Sequence, residues 1–392
     1  MPSFLTALCA LYFLTTTSSL ADVLQVPDDH PTIQEAIEAA QDGDEILVGP
    51  GVWYENLYVS KQLTITGSGQ GVTIIDGSQP ALYSFGSCIV VTGFFTKSNE
   101  PFRLQSLSLQ NGFGAEIYGV VRGGGIYSEY ASVELNEVTI EDCSAQQQNT
   151  YDFMGWGGAI CIYGGEYVIN DSILRNNTSF SHGGAIMNAA GSVELNDTLI
   201  TNNVSDLEGG GVFAESIGSS VACFRSSICD NQSRYGGAFS LIETGSLRLE
   251  QCQLRGNRAE DGAALYMDEA VSLISGSAFE HNVADSGGAV IRIFDQPGTP
   301  GVLFMEVSDS VFCGANQGDW REFIYEPGPN EFLEICGPTG DLNHDGMVSG
   351  ADLSALLSQW GATGSEASGD LNCDGVVSGP DLSVLLANWF SS

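Results

Sequence analysis

The sequence predicts an all-β solenoid of the parallel β-helix kind, followed by a small α-helical domain built from a duplicated loop and helix. Three observations carry that reading. The first is a phrase, Gly-Gly-(Ala/Gly)-apolar, at 123–126, 157–160, 183–186, 209–212, 236–239, 261–264 (as Asp-Gly-Ala-Ala) and 287–290. Its fourth positions step by 34, 26, 26, 27, 25 and 26 residues, and a period of that size marks stacked units. The second is an apolar-x-x-Asn phrase of the same period, ending at Asn177, Asn203, Asn231, Asn257 and Asn282. The third is the set of short alternating runs between them, such as Val133-Glu-Leu135, Tyr167-Val-Ile169, Val193-Glu-Leu195 and Leu247-Arg-Leu249. Alternation bounded by Gly and Asn is a strand-and-turn pattern and fits no helical period.

In chain order, residues 1–21 carry no charged side chain, hold an apolar run from Phe4 to Leu14 and end on Ser19-Leu20-Ala21. They read as a secretory signal peptide, and no later stretch is long enough to cross a membrane. A secreted product, extracellular or at a cell surface, is expected. Residues 31–41 place Ile33, Ala36, Ile37 and Ala40 at helical spacing, with Pro31 in the first turn and Asp42-Gly43 closing it. Such a helix would cap the open edge of the first coil, which the strand Glu45–Val48 starts.

Within the coils, stacked apolar residues (Ile126, Ile160, Ile186, Val212, Phe239, Val290) form an inward ladder, beside glycines that permit positive φ at a corner. The Asn column is read as scaffold: Asn tolerates the left-handed conformation, and its amide can bond the Asn stacked next to it. Cys143 occupies the Asn position where the ladder starts. Cys223 falls at an inward strand position and reads as a buried free thiol; Cys313 and Cys336 are spaced to bridge. The domains expected are a signal peptide at 1–21, a solenoid at 22–336, a linker at 337–340 and a loop–helix domain at 341–392.

That last domain holds the strongest chemical pattern. Residues 341–352 (Asp-Leu-Asn-His-Asp-Gly-Met-Val-Ser-Gly-Ala-Asp) and 370–381 (Asp-Leu-Asn-Cys-Asp-Gly-Val-Val-Ser-Gly-Pro-Asp) repeat at an offset of 29. Oxygen side chains stand at loop positions 1, 3, 5, 9 and 12, Gly at 6, and position 7 offers its carbonyl, the EF-hand layout for Ca2+. The expected ligands are Asp341, Asn343, Asp345, Met347, Ser349 and Asp352, then Asp370, Asn372, Asp374, Val376, Ser378 and Asp381. Each loop leads into a helix with apolar spacing: Leu353, Leu356, Leu357, Trp360 and Leu382, Leu385, Leu386, Trp389.

Three resemblances follow. The opening, with its "TIQ.AI..A..GD.I.V.PG.Y.E.L" pattern over about 25–75, resembles the right-handed parallel β-helix (pectin-lyase-like) superfamily, which implies a right-handed coil. The Gly-Gly-Ala-Ile and Phe-x-x-Asn phrases over about 120–316 resemble chlamydial polymorphic outer-membrane proteins, which are adhesins. Their membrane barrel has no counterpart in this sequence. The duplicated loop–helix, roughly 338–392, resembles a type I dockerin, which implies calcium-dependent folding and a cohesin-like or cell-surface partner. It departs from that pattern at Gly350-Ala351 and Gly379-Pro380.

Twelve Lys+Arg against 49 Asp+Glu give a net charge of −37, which argues against nucleic-acid binding. No catalytic set stands out. Carboxylate pairs of the kind glycosidases use could be drawn from Asp152, Glu166, Asp171, Glu194 and Asp197, but an acidic chain supplies such pairs by chance. His182 and His281 read as solvated loop residues. The 34-residue step from 126 to 160 inserts Tyr151, Phe153 and Trp156, which either stack on sugar rings or fold onto the coil flank. A second aromatic stretch, 81–99, is equally open. The expected function is a secreted, glycan-binding or adhesive calcium protein. The alternative is a polysaccharide lyase or glycoside hydrolase.

Overall fold

The computed structural model describes residues 21–79, 86–93, 100–146, 154–243, 245–285, 288, 290–294, 304–314, 324–333, 336–363 and 368–390. Tyr151, Phe153, Asp152, the aromatics of 81–85 and 94–95 and nearly all of the signal segment lie outside these residues. The chain winds into a parallel β-helix: each strand pairs with its equivalent one coil further on, as Ile160–Ile186, Ile186–Val212 and Val212–Phe239 do. One face is a nine-stranded sheet running from Leu57–Val59 through Ile126–Glu129 and Val212–Glu215 to Ile291–Phe294. The other faces join into one large sheet, because the long strands Phe102–Gln110 and Val133–Glu141 run on through the corner between two faces. At that corner Ser106 and Glu137 take φ of 54° and 53°.

The inward ladder forms as expected up to Phe239, but then the register corrects the phrase. Phe239 pairs with Leu265, and Leu265 with Ile291. The repeating unit there is Gly262-Ala-Ala-Leu265, one residue later than the Asp-Gly-Ala-Ala alignment, so Ile291 rather than Val290 continues the column. Leading glycines Gly123, Gly157, Gly183, Gly209, Gly236 and Gly262 all have φ between 56° and 69°. The turn leaves no room for a side chain: a Cβ on Gly157 would sit 2.1 Å from the Ile160 carbonyl oxygen.

The Asn column is a continuous hydrogen-bonded ladder. The Nδ2 atoms of Asn177, Asn203, Asn231 and Asn257 donate to the Oδ1 of the next Asn at 2.9, 2.9, 3.0 and 3.0 Å. Each also donates to a main-chain carbonyl one coil back. The ladder ends on the Cys143 N–H, which donates to Asn177. The left-handed conformation belongs to the residue before each Asn, as at Asn176, Asn202, Asp230 and His281, and not to the ladder Asn itself.

At the N-terminal end a strand, Val23–Val26, pairs with Glu45–Val48 and so precedes the expected first strand. Helix α1, Ile33–Ala39, packs on it with Ile33, Ala36 and Ile37 buried. Thr32 caps α1, and the Glu55 carboxylate accepts both the Ile33 and Gln34 N–H groups at 3.0 Å; unpaired first-turn donors and the helix dipole favour an anion there. Pro31 precedes the cap.

Helices α2 (Gly350–Ser358) and α3 (Gly379–Ala387) follow the two loops and share a small core of Val348, Leu356, Leu371, Val377 and Leu385. The expected apolar faces are only half buried: Leu357, Trp360 and Leu386 are each 50% exposed. Cys313–Cys336 forms as expected, and Cys223 is a buried free thiol between Leu195 and Leu249. A second disulfide, Cys229–Cys373, was not anticipated. No helix among the described residues is long and apolar enough to cross a membrane.

Candidate functional site

The nine-stranded sheet turns Ile126, Ile160, Ile186 and Val212 inward and their successors, Tyr127, Cys161, Met187 and Phe213, outward, because strand side chains alternate. That outward column is nevertheless apolar and buried, forming a second cluster separate from the main core. What covers it is a column of side chains on the preceding turn. Arg122 pairs with Trp156, and parallel bridges then link Trp156 to His182, His182 to Glu208, Glu208 to Tyr235 and Tyr235 to Asp261.

Each rung leans on the sheet residue one coil further along. His182 lies 4.5 Å from the Phe213 ring, and Tyr235 lies 5.3 Å from Tyr266. Asp261 accepts from Arg292 at 2.6 Å, while Ser240 donates to Glu208 at 3.5 Å. Arg122 sits 5.0 Å over the Trp156 ring and 5.9 Å from Tyr163, within cation–π range. The result is a partly exposed column of aromatic and acidic rungs along the solenoid axis.

This column is crowded with like charges. Burial pushes Glu208 up to about 7, the neighbouring charges of Glu215 and Asp268 adding to it against the Ser240 bond. Glu215 is raised by burial and by Glu243, and Asp268 by burial and by Glu269 and Glu243. Burial lowers His182 to about 4, so its imidazole is neutral at ordinary pH. Arg122 Nε, Trp156 Nε1, His182 Nδ1 and Asp268 Oδ1 are buried without a hydrogen-bond partner. Unpaired buried polar atoms are costly in a folded protein.

Trp156 packs against the buried cluster on the coil flank, the second of the two options for the insertion. Reading His182 as a solvated loop residue is corrected by its contact with Phe213. His281 is half-buried on the far flank, where its N–H donates to Cys336 Sγ at 3.2 Å. Asp197 is engaged by Arg225 at 2.6 Å, and Asp171 lies beside it on that flank, so neither joins the column. Glu208, Glu215, Asp268, Tyr235 and Arg122 were missed. The signal was present: the residue just before each leading glycine varies as Arg, Trp, His, Glu, Tyr and Asp while its surroundings repeat.

The two C-terminal loops form a second candidate. Their hydrogen bonds are duplicated. Asp341 accepts the Asp345 and Gly346 N–H groups at 3.1 and 2.8 Å, and Asp370 those of Asp374 and Gly375 at 3.1 and 2.9 Å. Asp352 accepts from Leu342, Asn343 and Ser349, and Asp381 from Leu371, Asn372 and Ser378. Gly346 and Gly375 make the sharp turn with φ of 90° and 95°. Ser349 and Ser378 are the N-caps of α2 and α3, and the Met347 and Val376 side chains face outward.

Burial would raise Asp352, but its backbone N–H donors outweigh that and hold it below the usual range. Asp370 is pushed up to about 6 by burial and by Asp381 and Asp374. Carboxylate oxygens of Asp370, Asp374 and Asp381 lie within 4.8 Å of one another. Three hard anionic oxygens held together suit a hard divalent cation.

No family model matches the chain, and no curated protein matches it. Among solved structures it is similar to a pectin methylesterase from carrot, with a TM-score of 0.37 and 13% identity over 80% of this chain and 89% of that one. It is also similar to the A-module of the Azotobacter vinelandii mannuronan C-5 epimerase AlgE4, with a TM-score of 0.32 and 14% identity over 81% of this chain and 94% of that one. A PL6 family alginate lyase, AlyGC, gives a TM-score of 0.37 and 12% identity over 80% and 51% of the two chains.

Proposed function

We propose that the protein is a secreted enzyme that cleaves glycosidic bonds in a polysaccharide laid along this column of rungs. The observation that carries this reading is Glu208: a half-buried carboxyl on a middle rung, pushed up to about 7 beside two further carboxylates. A carboxylic acid still protonated near neutral pH can deliver its proton to a departing glycosidic oxygen, and a second carboxylate serves as nucleophile or base. Glu215 and Asp268 are the candidates for that second role. Trp156, Tyr235 and Tyr266, each partly exposed, give sugar rings flat apolar surfaces, and Arg122 offers a cation to an anionic substituent.

The test is a reducing-sugar assay over a panel of neutral and acidic polysaccharides, with the full chain and Glu208→Gln. Turnover should fall as pH rises through about 7, where Glu208 loses its proton, and the Gln variant should lose about 10²–10⁴-fold. Retention of a glycan without turnover would replace this reading with the adhesive one, which the aromatic rungs alone would satisfy.

The C-terminal loops are proposed to hold two Ca2+ ions through the side chains of Asp341, Asn343, Asp345, Ser349 and Asp352 and the Met347 carbonyl, and through Asp370, Asn372, Asp374, Ser378, Asp381 and the Val376 carbonyl. Bound there, the ion would offset the crowded carboxylates and fix the loop. The loop–helix pair would then attach the enzyme to a cohesin-like or cell-surface partner. Calorimetric titration should show two calcium sites, both lost in Asp341→Ala plus Asp370→Ala.

A further inference from the structure

Position 4 of each cation loop, His344 in one and Cys373 in the other, reaches the solenoid. His344 Nε2 pairs with Glu280 at 2.9 Å, and Cys373 is disulfide-bonded to Cys229. Both residues adopt positive φ, 57° and 50°. Their partners belong to one column: Cys229 pairs with Arg255, and Arg255 with Glu280. The duplicated loops thus dock on a single line of the solenoid, two coils apart. A cavity of 280 Å³ runs along the second contact, lined by Asp197, Leu199 and Ser227 of the solenoid and Asp370, Asp374 and Val376 of the loop.

Cys373 lies between two loop residues, Asn372 and Asp374, that carry oxygens for a cation. A covalent bond at that point fixes the backbone on which both are mounted. We propose that Cys229–Cys373, buried at both cysteines, is a covalent latch on the second loop. Closed, it holds the second loop in the shape that takes a divalent cation. Opened by a dithiol, it leaves that loop to local contacts and weakens its cation affinity, while His344–Glu280 keeps the first loop docked. The exchange balances: the dithiol gives two electrons and two protons, its sulfurs close into a cyclic disulfide, and Cys229 and Cys373 become thiols.

The cation arm of this proposal rests on the calcium reading of the loops; the covalent arm does not. Thiol blocking of the full chain followed by non-reducing peptide mapping should recover 229 and 373 as one linked peptide. Finding both alkylated in the folded protein overturns the latch. Calcium titration by calorimetry, before and after dithiothreitol and in Cys373→Ser, should show one of two sites weakened about tenfold or more. The serine variant should show no further loss of that site on adding dithiothreitol, which separates this bond from Cys313–Cys336. Two sites of unchanged affinity in the opened protein would also overturn the latch. Absence of calcium binding in the oxidised protein would remove the cation reading. The latch would then be judged by hydrogen exchange of 371–377, which should speed up on reduction and refutes it if unchanged.

Discussion

The interior Asn ladder and the outer column of rungs are built on the same coil period, yet they treat polar atoms in opposite ways. Along the ladder, Asn177 to Asn257 are fully buried and each amide spends both its donors on the neighbouring coils. Along the outer column and the sheet beside it, Arg122, Trp156, His182 and Asp268 each bury a polar atom that bonds nothing in the chain. Repetition serves the ladder, since identical side chains satisfy one another. Variation defines the outer column, since six different side chains on adjacent rungs cannot. Repetition and variation thereby occupy different columns of one solenoid.

The sharpest way to break this contrast is at the ladder. Asn231→Ala removes four hydrogen bonds around one buried site and should cost about 2–4 kcal/mol, read by denaturant unfolding, with glycan affinity of the folded fraction intact. Glu208→Gln should do the reverse. Its folded pKa is raised from 4.5 to about 7, so the wild type loses stability as pH rises from the unfolded value through the folded one. The Gln variant carries no such charge and should melt higher than wild type at pH 8, by about 1–2 kcal/mol once solvent screening is allowed for, but not at pH 4. Equal melting shifts at both pH values would count against a strained carboxyl.

Trp156→Ala should weaken oligosaccharide binding by about 1–2 kcal/mol with the main core untouched; an affinity equal to wild type would take the insertion out of the polysaccharide's path. The smallest effect belongs to a surface pair. Arg225 meets Asp197 through two bonds at 3.0 and 2.6 Å, and Arg225→Ala should change stability by at most about 1 kcal/mol.

Much of the scaffold was legible because it repeats. Gly, Asn and alternating apolar residues state the coil, the corner and the inward face wherever they recur. The register slip at Gly262 was not legible, since Asp-Gly-Ala-Ala and Gly-Ala-Ala-Leu overlap by three residues and only the pairing of Phe239 with Leu265 decides between them. The outer column was harder still. Each of its rungs comes from a different coil, and Glu208 matters because burial and Glu215 act on it together. The duplicated loops were legible as loops. Their attachment was not, because 144 residues separate Cys229 from Cys373.

That attachment makes the loop–helix pair a ruler. Glu280 and Cys229 stand two strand spacings apart, about 10 Å, and the 29-residue duplication sets a fixed distance between His344 and Cys373 to match. A solenoid built from interchangeable coils could otherwise gain or lose one without penalty to its neighbours. Between residues 229 and 280 it cannot: one coil more or fewer there, and only one of the two contacts can close. The tail thereby fixes the number of coils beneath it, and with it the register of the rungs those coils carry.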